Sequence, residues 1–194
     1  MQSRHTEARS YYKLAYAARY WDIFPEAQTQ DGDTEPLPDF RDRISTENKA
    51  LDSYQNLLFS LLKFWRKTGT WPQKITIVSH EFKRARFVNL HLKALKWERD
   101  VEYLGIDPEY MTTKVESDML RAEDVREGER IRGYDVWAED MYGVGDVLVE
   151  KRKARNPWVI NQTVWEEGMG VEIQSLIHWH GGSLFDGQLP WSQK

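Results

Sequence analysis

The sequence contains no cysteine, which excludes disulfide bonds and thiol catalysis and agrees with a reducing compartment. It also lacks an excess of positive charge, since 27 Lys and Arg residues are outnumbered by 31 Asp and Glu residues. The net charge of −4 gives the protein no overall field that would attract nucleic acid. We therefore expect no nucleic-acid partner.

Long apolar runs are missing as well. No stretch approaches the roughly 18 apolar residues of a membrane-spanning helix, and the N-terminal segment lacks the apolar core and cleavage site of a secretory signal. These absences predict a cytoplasmic protein without a membrane partner. At 194 residues, 40% of them hydrophobic, the chain is long enough for one domain with a sizeable core.

The first part of the chain is predicted to form two helices separated by a loop. Apolar residues at helical spacing predict a helix over residues 6–21 and a second from about 45–48 to 67. The first would bury Ala8, Tyr11, Tyr12, Ala15 and Ala18. Gly and Pro residues predict an exposed loop over 25–44, and the cations of the last turn together with Gly69 predict the end of the second helix.

Two later segments have the composition of strands in a parallel sheet. "KITIVS" (74–79) is short, β-branched and apolar, which predicts a buried parallel strand, and "VEYLGID" (101–107) predicts a second one. A helix over 82–95 is predicted between them, with Ala85, Val88, Leu92 and Leu95 buried. We expect one more helix from about 144 to 154–158, another in the last segment, and an irregular tail over 181–194.

This alternation of helices and strands predicts an α/β fold with a parallel sheet. Two strands cannot cover the predicted helices, however, and the chain opens on a helix with no strand before it. Either later segments contain further strands, or the first part of a larger domain is missing, and we favour the second alternative. We therefore predict a single domain over residues 1–194 that lacks one or more N-terminal strands.

The first candidate site lies where the strand over 74–79 gives way to a helix. Ser79 and His80 follow the carboxyl end of this strand, the position at which open α/β sheets bind their ligands. Free N–H groups at the start of the next helix favour anions there. The junction therefore predicts a binding site for an anionic small molecule.

Three cations, Lys83, Arg84 and Arg86, stand in the predicted first turn of that helix. The helix dipole disfavours positive charge there by roughly 0.3–1 kcal/mol for each exposed cation. A bound phosphate or carboxylate would offset this cost, and so would a protein acid such as Glu47. The alternative is that all three are solvated surface charges.

A second candidate feature is a polar residue pattern in "ENKALDSYQN" (47–56). Glu47, Ala50, Ser53 and Asn56 recur every three residues, so that on a helix Ser53 and Asn56 would border the apolar stripe. They would then line a cleft beside the neighbouring strand. Alternatively, they only border the core and bond to nearby backbone.

Other familiar motifs are absent. His178 and His180 stand two residues apart without an accompanying acidic cluster, so we predict no metal site. Nothing matches a dinucleotide fingerprint, a phosphate-binding loop or the G-x-S-x-G nucleophile motif. Catalytic residues therefore stay unknown, and the sequence leaves open whether the protein is an enzyme.

Taken together, the two candidate motifs resemble the YdcF/SanA/ElyC-like family, especially its fungal branch. That family has Glu-x-x-Ser-x-x-Thr-x-x-Asn on a helix, and a strand followed by Phe-His-x-x-Arg. The matching residues here are Glu47, Ala50, Ser53 and Asn56, followed by Ser79, Phe82, Lys83 and Arg86. The patterns of the fungal branch are matched by "DSYQNLLFS" (52–60), "FKRARF" (82–87) and "GQLPW" (187–191).

The chain departs from the family at two places. Family members usually begin with a strand and a Ser-Gly-Gly loop before a helix that carries an acid, and here only the helix with Glu7 remains. Lys83 stands where bacterial members have His. Because lysine stays charged at neutral pH, this change favours binding an anion over acid–base chemistry.

The resemblance implies a Rossmann-like three-layer α/β/α domain with a mostly parallel sheet. It also implies a ligand site that includes Glu7, Glu47, Ser53, Asn56, Ser79, Lys83 and Arg86, to which the strand-end position adds His80. A bacterial relative binds S-adenosylmethionine, so this cofactor or another nucleotide is an implied ligand. Other relatives are linked to cell-envelope processes.

Two functional hypotheses follow. In the first, Lys83 and Arg86 hold the oxygens of an anionic, nucleotide-like ligand, and Glu7 and Glu47 contact ribose hydroxyls or act as a base. In the second, the chain is a non-catalytic remnant or an interaction module in which the cations are structural. Its aromatic tail would then cover the core or dock a partner, through Trp179, Phe185 and Trp191.

Overall fold

A computed structural model describes residues 6–20 and 40–192 of the chain, which divides into two compact units, residues 1–48 and 49–194. In the first unit, helix α1 (Glu7–Ala17) begins after Thr6, whose side chain accepts a hydrogen bond from the backbone N–H of Arg9. No residue of α1 is buried, so the predicted burial of one side of this helix is wrong. A short 3₁₀-helix spans Phe40–Arg43, and most of the predicted loop over 25–44 lies outside the described residues.

The second unit is mixed α/β. Its regular elements are α2 (Ser53–Thr68), β1 (Lys74–Ser79), α3 (Leu92–Ala94), β2 (Asp100–Gly105), α4 (Glu116–Glu129), α5 (Asp135–Glu139), α6 (Asp146–Arg155) and α7 (Val171–Ile177). Two π-helices, Arg86–His91 and Arg130–Tyr134, lead directly into α3 and α5. Short 3₁₀-helices cover Glu81–Lys83, Glu109–Met111 and Thr163–Trp165. Within the described part of the chain, no helix is long and apolar enough to cross a membrane.

Helix α2 begins at Ser53, several residues later than its sequence pattern predicts. Asp52 caps it by accepting a hydrogen bond of 2.8 Å from the backbone N–H of Gln55. The preceding backbone is held outside the helix by tertiary contacts, because Gln162 donates to the carbonyl of Lys49 and Arg155 donates to that of Leu51. The helix ends as predicted, with Gly69 in the left-handed conformation at φ 73°.

The two predicted strands form a parallel pair. Ile77 of β1 lies opposite Tyr103 of β2, and β1 covers the predicted residues 74–79. The predicted burial of β1 is wrong for one of its faces, because Val78 is 61% exposed and its partner Leu104 is 45% exposed. The other face carries half-buried Ile77 and buried Tyr103.

The helix after β1 differs from the prediction in its geometry. It contains the π-helix Arg86–His91, whose wider turn changes which side chains face the core. Leu92 and Leu95 are buried as predicted, whereas Ala85 and Val88 are exposed. The buried positions of the π-helix are Phe87, Leu90 and His91.

The core of the second unit includes the apolar face of α2. The C-terminal tail completes this core: Trp191 is fully buried, and its indole N–H donates to the carbonyl of Leu95 over 2.6 Å. Phe185 is buried as well. These two tail aromatics therefore cover the core and are not available to dock a partner.

Candidate functional site

The predicted site residues fall into both units. Glu7, the exposed first residue of α1, and half-buried Glu47 belong to the first unit. The remaining six belong to the second unit: Ser53, Asn56, Ser79, His80, Lys83 and Arg86. Glu47 lies before α2, so the predicted helical repeat from Glu47 to Asn56 is wrong.

Ser79 and His80 lie at the carboxyl end of β1, where the sequence places them. The side chain of His80 donates from Nδ1 to the carbonyl of Ile106 over 2.9 Å, and its ring stacks on Phe82. Its backbone carbonyl accepts a 2.6 Å hydrogen bond from the hydroxyl of Tyr103. These contacts fix the junction between β1 and the next helix.

The guanidinium of Arg84 is held by contacts with neighbouring residues. Its guanidinium donates to both carboxylate oxygens of Glu81, over 2.5 and 2.7 Å, and lies 4.6 Å above the ring of Tyr103. The Glu81 carboxylate raises the pKa of this guanidinium. A protein acid therefore compensates this cation, although it is Glu81 and not the acid that the sequence analysis named.

Arg86 has a different environment. Its Nε lies 3.2 Å from Oε1 of Glu129, the last residue of α4, and the two side chains are only 13% and 12% exposed. The geometry of this contact is not that of a hydrogen bond, and both atoms are buried without a hydrogen-bond partner among the described residues. Arg86 and Glu129 therefore form an ion pair that leaves their hydrogen-bonding capacity unused.

A cavity of about 240 Å³ opens beside this ion pair. It is lined by Phe82, Ala85, Arg86, Arg126, Glu129, Arg130 and Tyr134. One wall is formed by the first helical residues after β1, and the other by the end of α4 and the residues that follow it. Each wall includes part of a π-helix. Such π-helical turns are frequent at functional sites.

Burial dominates the electrostatics of the ion pair. It lowers the pKa of the Arg86 guanidinium, an effect that the negative charge of Glu129 opposes. It raises the pKa of the Glu129 carboxyl, which the positive charges of Arg86 and Lys83 lower. Two of the predicted cations, Arg86 and Lys83, therefore act on one acid at the cavity. Lys83 also lies 5.6 Å from the ring of Phe82.

Ser53 contacts a residue that the sequence analysis did not single out. Its hydroxyl lies 2.8 Å from Nε2 of His91, which is fully buried within the π-helix that begins at Arg86. The rings of Tyr54, Phe87 and Trp137 surround this imidazole. Burial, together with the charges of Arg86 and Arg152, lowers its pKa to about 3.

Asn56 is exposed one turn further along α2. Ser53 therefore borders the core, which is the second of its two predicted roles. Its hydrogen-bond partner, however, is the side chain of His91 and not the backbone.

Among residues 6–20 and 40–192, no group of three or more His, Cys, Asp or Glu side chains is placed to hold a metal ion.

The cavity wall formed by residues 126–134 is not predicted by the sequence. Helix α4 does not gather its few apolar residues into a pronounced apolar stripe, so it gives no clear apolar period by which to predict it. The charge spacing does indicate a helix here, because Glu127 and Arg130 stand three residues apart. In the structure they form an ion pair of 2.6 Å on the helix surface. Nothing in the local sequence indicates that Glu129 meets Arg86.

Comparison with known proteins identifies a fungal relative. The chain is 33% identical over 122 residues to "Uncharacterized protein YOR238W" of Saccharomyces cerevisiae. The match covers 59% of this chain but 38% of the yeast protein, so the chain spans well under half of the length of that relative. No protein-family model matches the sequence, and no solved structure matches it.

Proposed function

We propose that this chain is a YdcF-like domain that binds a small anionic or nucleotide-like ligand beside the 79–86 junction. The observation that carries the proposal is the position of Arg86. Its guanidinium lies on the wall of a cavity, mostly buried, and makes no hydrogen bond within the described residues. A buried guanidinium with free donors is the group that proteins use to bind phosphate and carboxylate oxygens.

The other cations support this assignment to different degrees. Arg126 lines the cavity and donates to the carbonyl of Met111 over 3.3 Å. Arg130 also lines it, but is paired with Glu127 and Asp135. Lys83 adds positive charge near Glu129. In this proposal Arg86 contacts the anionic group of the ligand directly, and the other cations attract it electrostatically.

A nucleotide-like ligand is supported by the aromatic walls of the cavity. Phe82 and Tyr134 both line the cavity, and a flat group would pack on the ring of Tyr134. The volume of about 240 Å³ is slightly below the usual range for ligand pockets, roughly 300–1,000 Å³. A nucleotide or S-adenosylmethionine would therefore place only one of its groups inside.

The finer fold assignment is part of the same proposal. A parallel pair of strands joined by a helical crossover is the repeating unit of Rossmann-like three-layer domains. The exposed face of the β1–β2 pair, which carries Val78 and Leu104, is the type of surface that such domains cover with another layer.

The test is a thermal melt of the protein with inorganic phosphate, adenosine monophosphate and S-adenosylmethionine. A ligand at a hundredfold excess over its dissociation constant adds about 2.7 kcal/mol to the free energy of unfolding. We expect one of them to raise the melting midpoint of the wild type. The Arg86→Gln variant should lose that shift.

The matched control is Arg84→Gln. Arg84 stands two positions earlier in the same helical segment but is engaged by Glu81 and does not line the cavity. This variant should keep the ligand-induced shift. Equal shifts in both variants would show that the ligand binds elsewhere.

The alternative, a non-catalytic remnant or interaction module with structural cations, is favoured by the contacts of Arg84. Its charge is satisfied by Glu81 and Tyr103 without any ligand. If Arg86 has the same kind of role, Arg86→Gln should lower the free energy of unfolding while no ligand shifts the melting midpoint of either protein.

A further inference from the structure

The pairing of a cation and an acid at the same cavity restricts which anions would fit it. Of the seven described residues that line the cavity, Glu129 is the one acid. Its carboxylate faces the space next to Arg86, with an Nε to Oε1 distance of 3.2 Å. An anion that reaches the Arg86 guanidinium therefore also approaches Glu129.

Both side chains have unused hydrogen-bonding capacity of opposite kinds. A guanidinium carries five N–H donors, whereas an ionised carboxylate only accepts. Neither group makes a hydrogen bond within the described residues, and Nε of Arg86 and Oε1 of Glu129 are fully buried. Buried charged groups normally satisfy such capacity, because leaving it unmet is costly.

The neighbouring arginines do not supply what Glu129 lacks. Arg130 directs its guanidinium to Glu127 over 2.6 Å and to Asp135 over 2.8 Å. Arg126 donates to the carbonyl of Met111. Glu129 therefore offers an acceptor inside a site that is otherwise rich in donors.

We infer that the ligand is a small zwitterion, in which an acidic group contacts Arg86 and a protonated amine contacts Glu129. This inference rests on the proposed anion-binding function and specifies its chemical class. An anion that carries no positive charge would be repelled by the carboxylate. An amine would remove that repulsion and satisfy the acceptor at the same time.

Two further features of the cavity agree with an amine. The ring of Tyr134 lies in the wall, and an ammonium group is attracted to the face of such a ring. The volume of about 240 Å³ equals roughly eight water molecules at about 30 Å³ each. It is therefore suited to a molecule of amino-acid size.

The experiment uses two pairs of probes in which a methyl group replaces the ammonium. Phosphoethanolamine is compared with n-propyl phosphate, and β-alanine with butyrate, by calorimetric titration of the wild-type chain. We expect the amine member of at least one pair to bind roughly tenfold or more tightly than its methyl counterpart, the usual gain from a charge-assisted hydrogen bond.

The decisive variant is Glu129→Gln. It should abolish the preference for the amine and should strengthen the binding of the methyl counterpart, because it removes the repulsive charge. Glu123→Gln is the matched control: Glu123 is exposed on the same helix and does not line the cavity, and this variant should retain the preference.

Other outcomes distinguish a failure of the zwitterion inference from a failure of the proposed anion-binding function. If n-propyl phosphate binds as tightly as phosphoethanolamine, and Glu129→Gln strengthens both, the zwitterion inference is wrong while the anion-binding function stands. If none of the four probes binds, and no ligand shifts the melting midpoint of the wild type, both are wrong. A preference for the amine that survives in Glu129→Gln would also overturn the inference.

Discussion

The hydroxyl of Ser53 lies 2.8 Å from Nε2 of His91 and ties the first turn of α2 to the π-helix that begins at Arg86. The other imidazole nitrogen, Nδ1, is buried without a hydrogen-bond partner among the described residues. Since burial and two nearby arginines disfavour a charged imidazole, His91 is neutral in the folded protein at neutral pH. Because the folded protein disfavours the protonated form of His91, the stability of the protein depends on pH.

The first prediction concerns acid destabilisation. The folded-state pKa of His91, about 3, lies below the ordinary value of 6.5. The unfolded chain therefore takes up the proton first, and stability is lost as pH falls from about 6.5 towards 3. Between pH 6.5 and 5 the loss should be about 2 kcal/mol, at 1.36 kcal/mol for each pH unit.

Urea unfolding of wild type and His91→Gln at pH 7 and 5 checks this prediction. The variant should be less stable at pH 7, but should lose about 2 kcal/mol less on acidification. His180→Gln, a change at an exposed histidine, serves as the control. An unchanged pH dependence in His91→Gln would contradict the assignment.

The second prediction concerns the start of α2. The side chain of Asp52 is only 4% exposed, caps the helix and forms an ion pair with Nε of Arg152. Asp52→Ala leaves Arg152 without its carboxylate partner, so it should lower the free energy of unfolding by about 3–5 kcal/mol. Asp52→Asn should cost less, because asparagine retains the capping hydrogen bond.

Chemical denaturation of the two variants measures the difference. Glu150→Ala is the matched control, since Glu150 forms an exposed ion pair with Lys153 and should change stability by less than about 1 kcal/mol. Equal losses in Asp52→Ala and Glu150→Ala would mean that the Asp52–Arg152 contact does not stabilise the fold.

The third prediction concerns the C-terminal tail. Trp191 is fully buried and contacts the ring of Trp71, with 4.9 Å between ring centroids. Trp191→Ala should lower the free energy of unfolding by about 3–5 kcal/mol, because it removes a large core side chain. Trp158→Ala should have little effect, since Trp158 is 59% exposed.

Thermal melts followed by circular dichroism compare the two tryptophan variants. A tail that only rests on the surface would give the same midpoint for both. A larger loss for Trp191→Ala would show that the segment around "GQLPW" belongs to the core.

The fourth prediction concerns the end of α2. Gly69 has φ 73°, a conformation that favours glycine, and a Cβ there would meet no atom within 4 Å. Gly69→Ala should therefore cost about 1 kcal/mol through backbone strain and not through a steric clash. Gly69→Asn should cost less, because asparagine adopts this conformation more readily. Urea unfolding of both variants measures the two losses, and equal losses would contradict the explanation.

The elements whose signals are local can be predicted from the sequence alone. The β-branched run at 74–79, the apolar stripe of α2 and the glycine at its end depend on residues within one turn or one strand, so each could be predicted. The position of Ser79 and His80 could be predicted from the end of the strand. The start of α2 could not be predicted, because hydrogen bonds from Gln162 and Arg155 to the preceding backbone determine where the helix begins.

The composition of the candidate site depends on tertiary packing. Arg86 was predicted, but the acid beside it belongs to a helix without a pronounced apolar stripe. The π-helix Arg86–His91 also escaped prediction, since its wider turn depends on packing and not on local composition. Which charges meet across a cavity is set by long-range packing, and for this reason Glu129 becomes a site residue only in the folded chain.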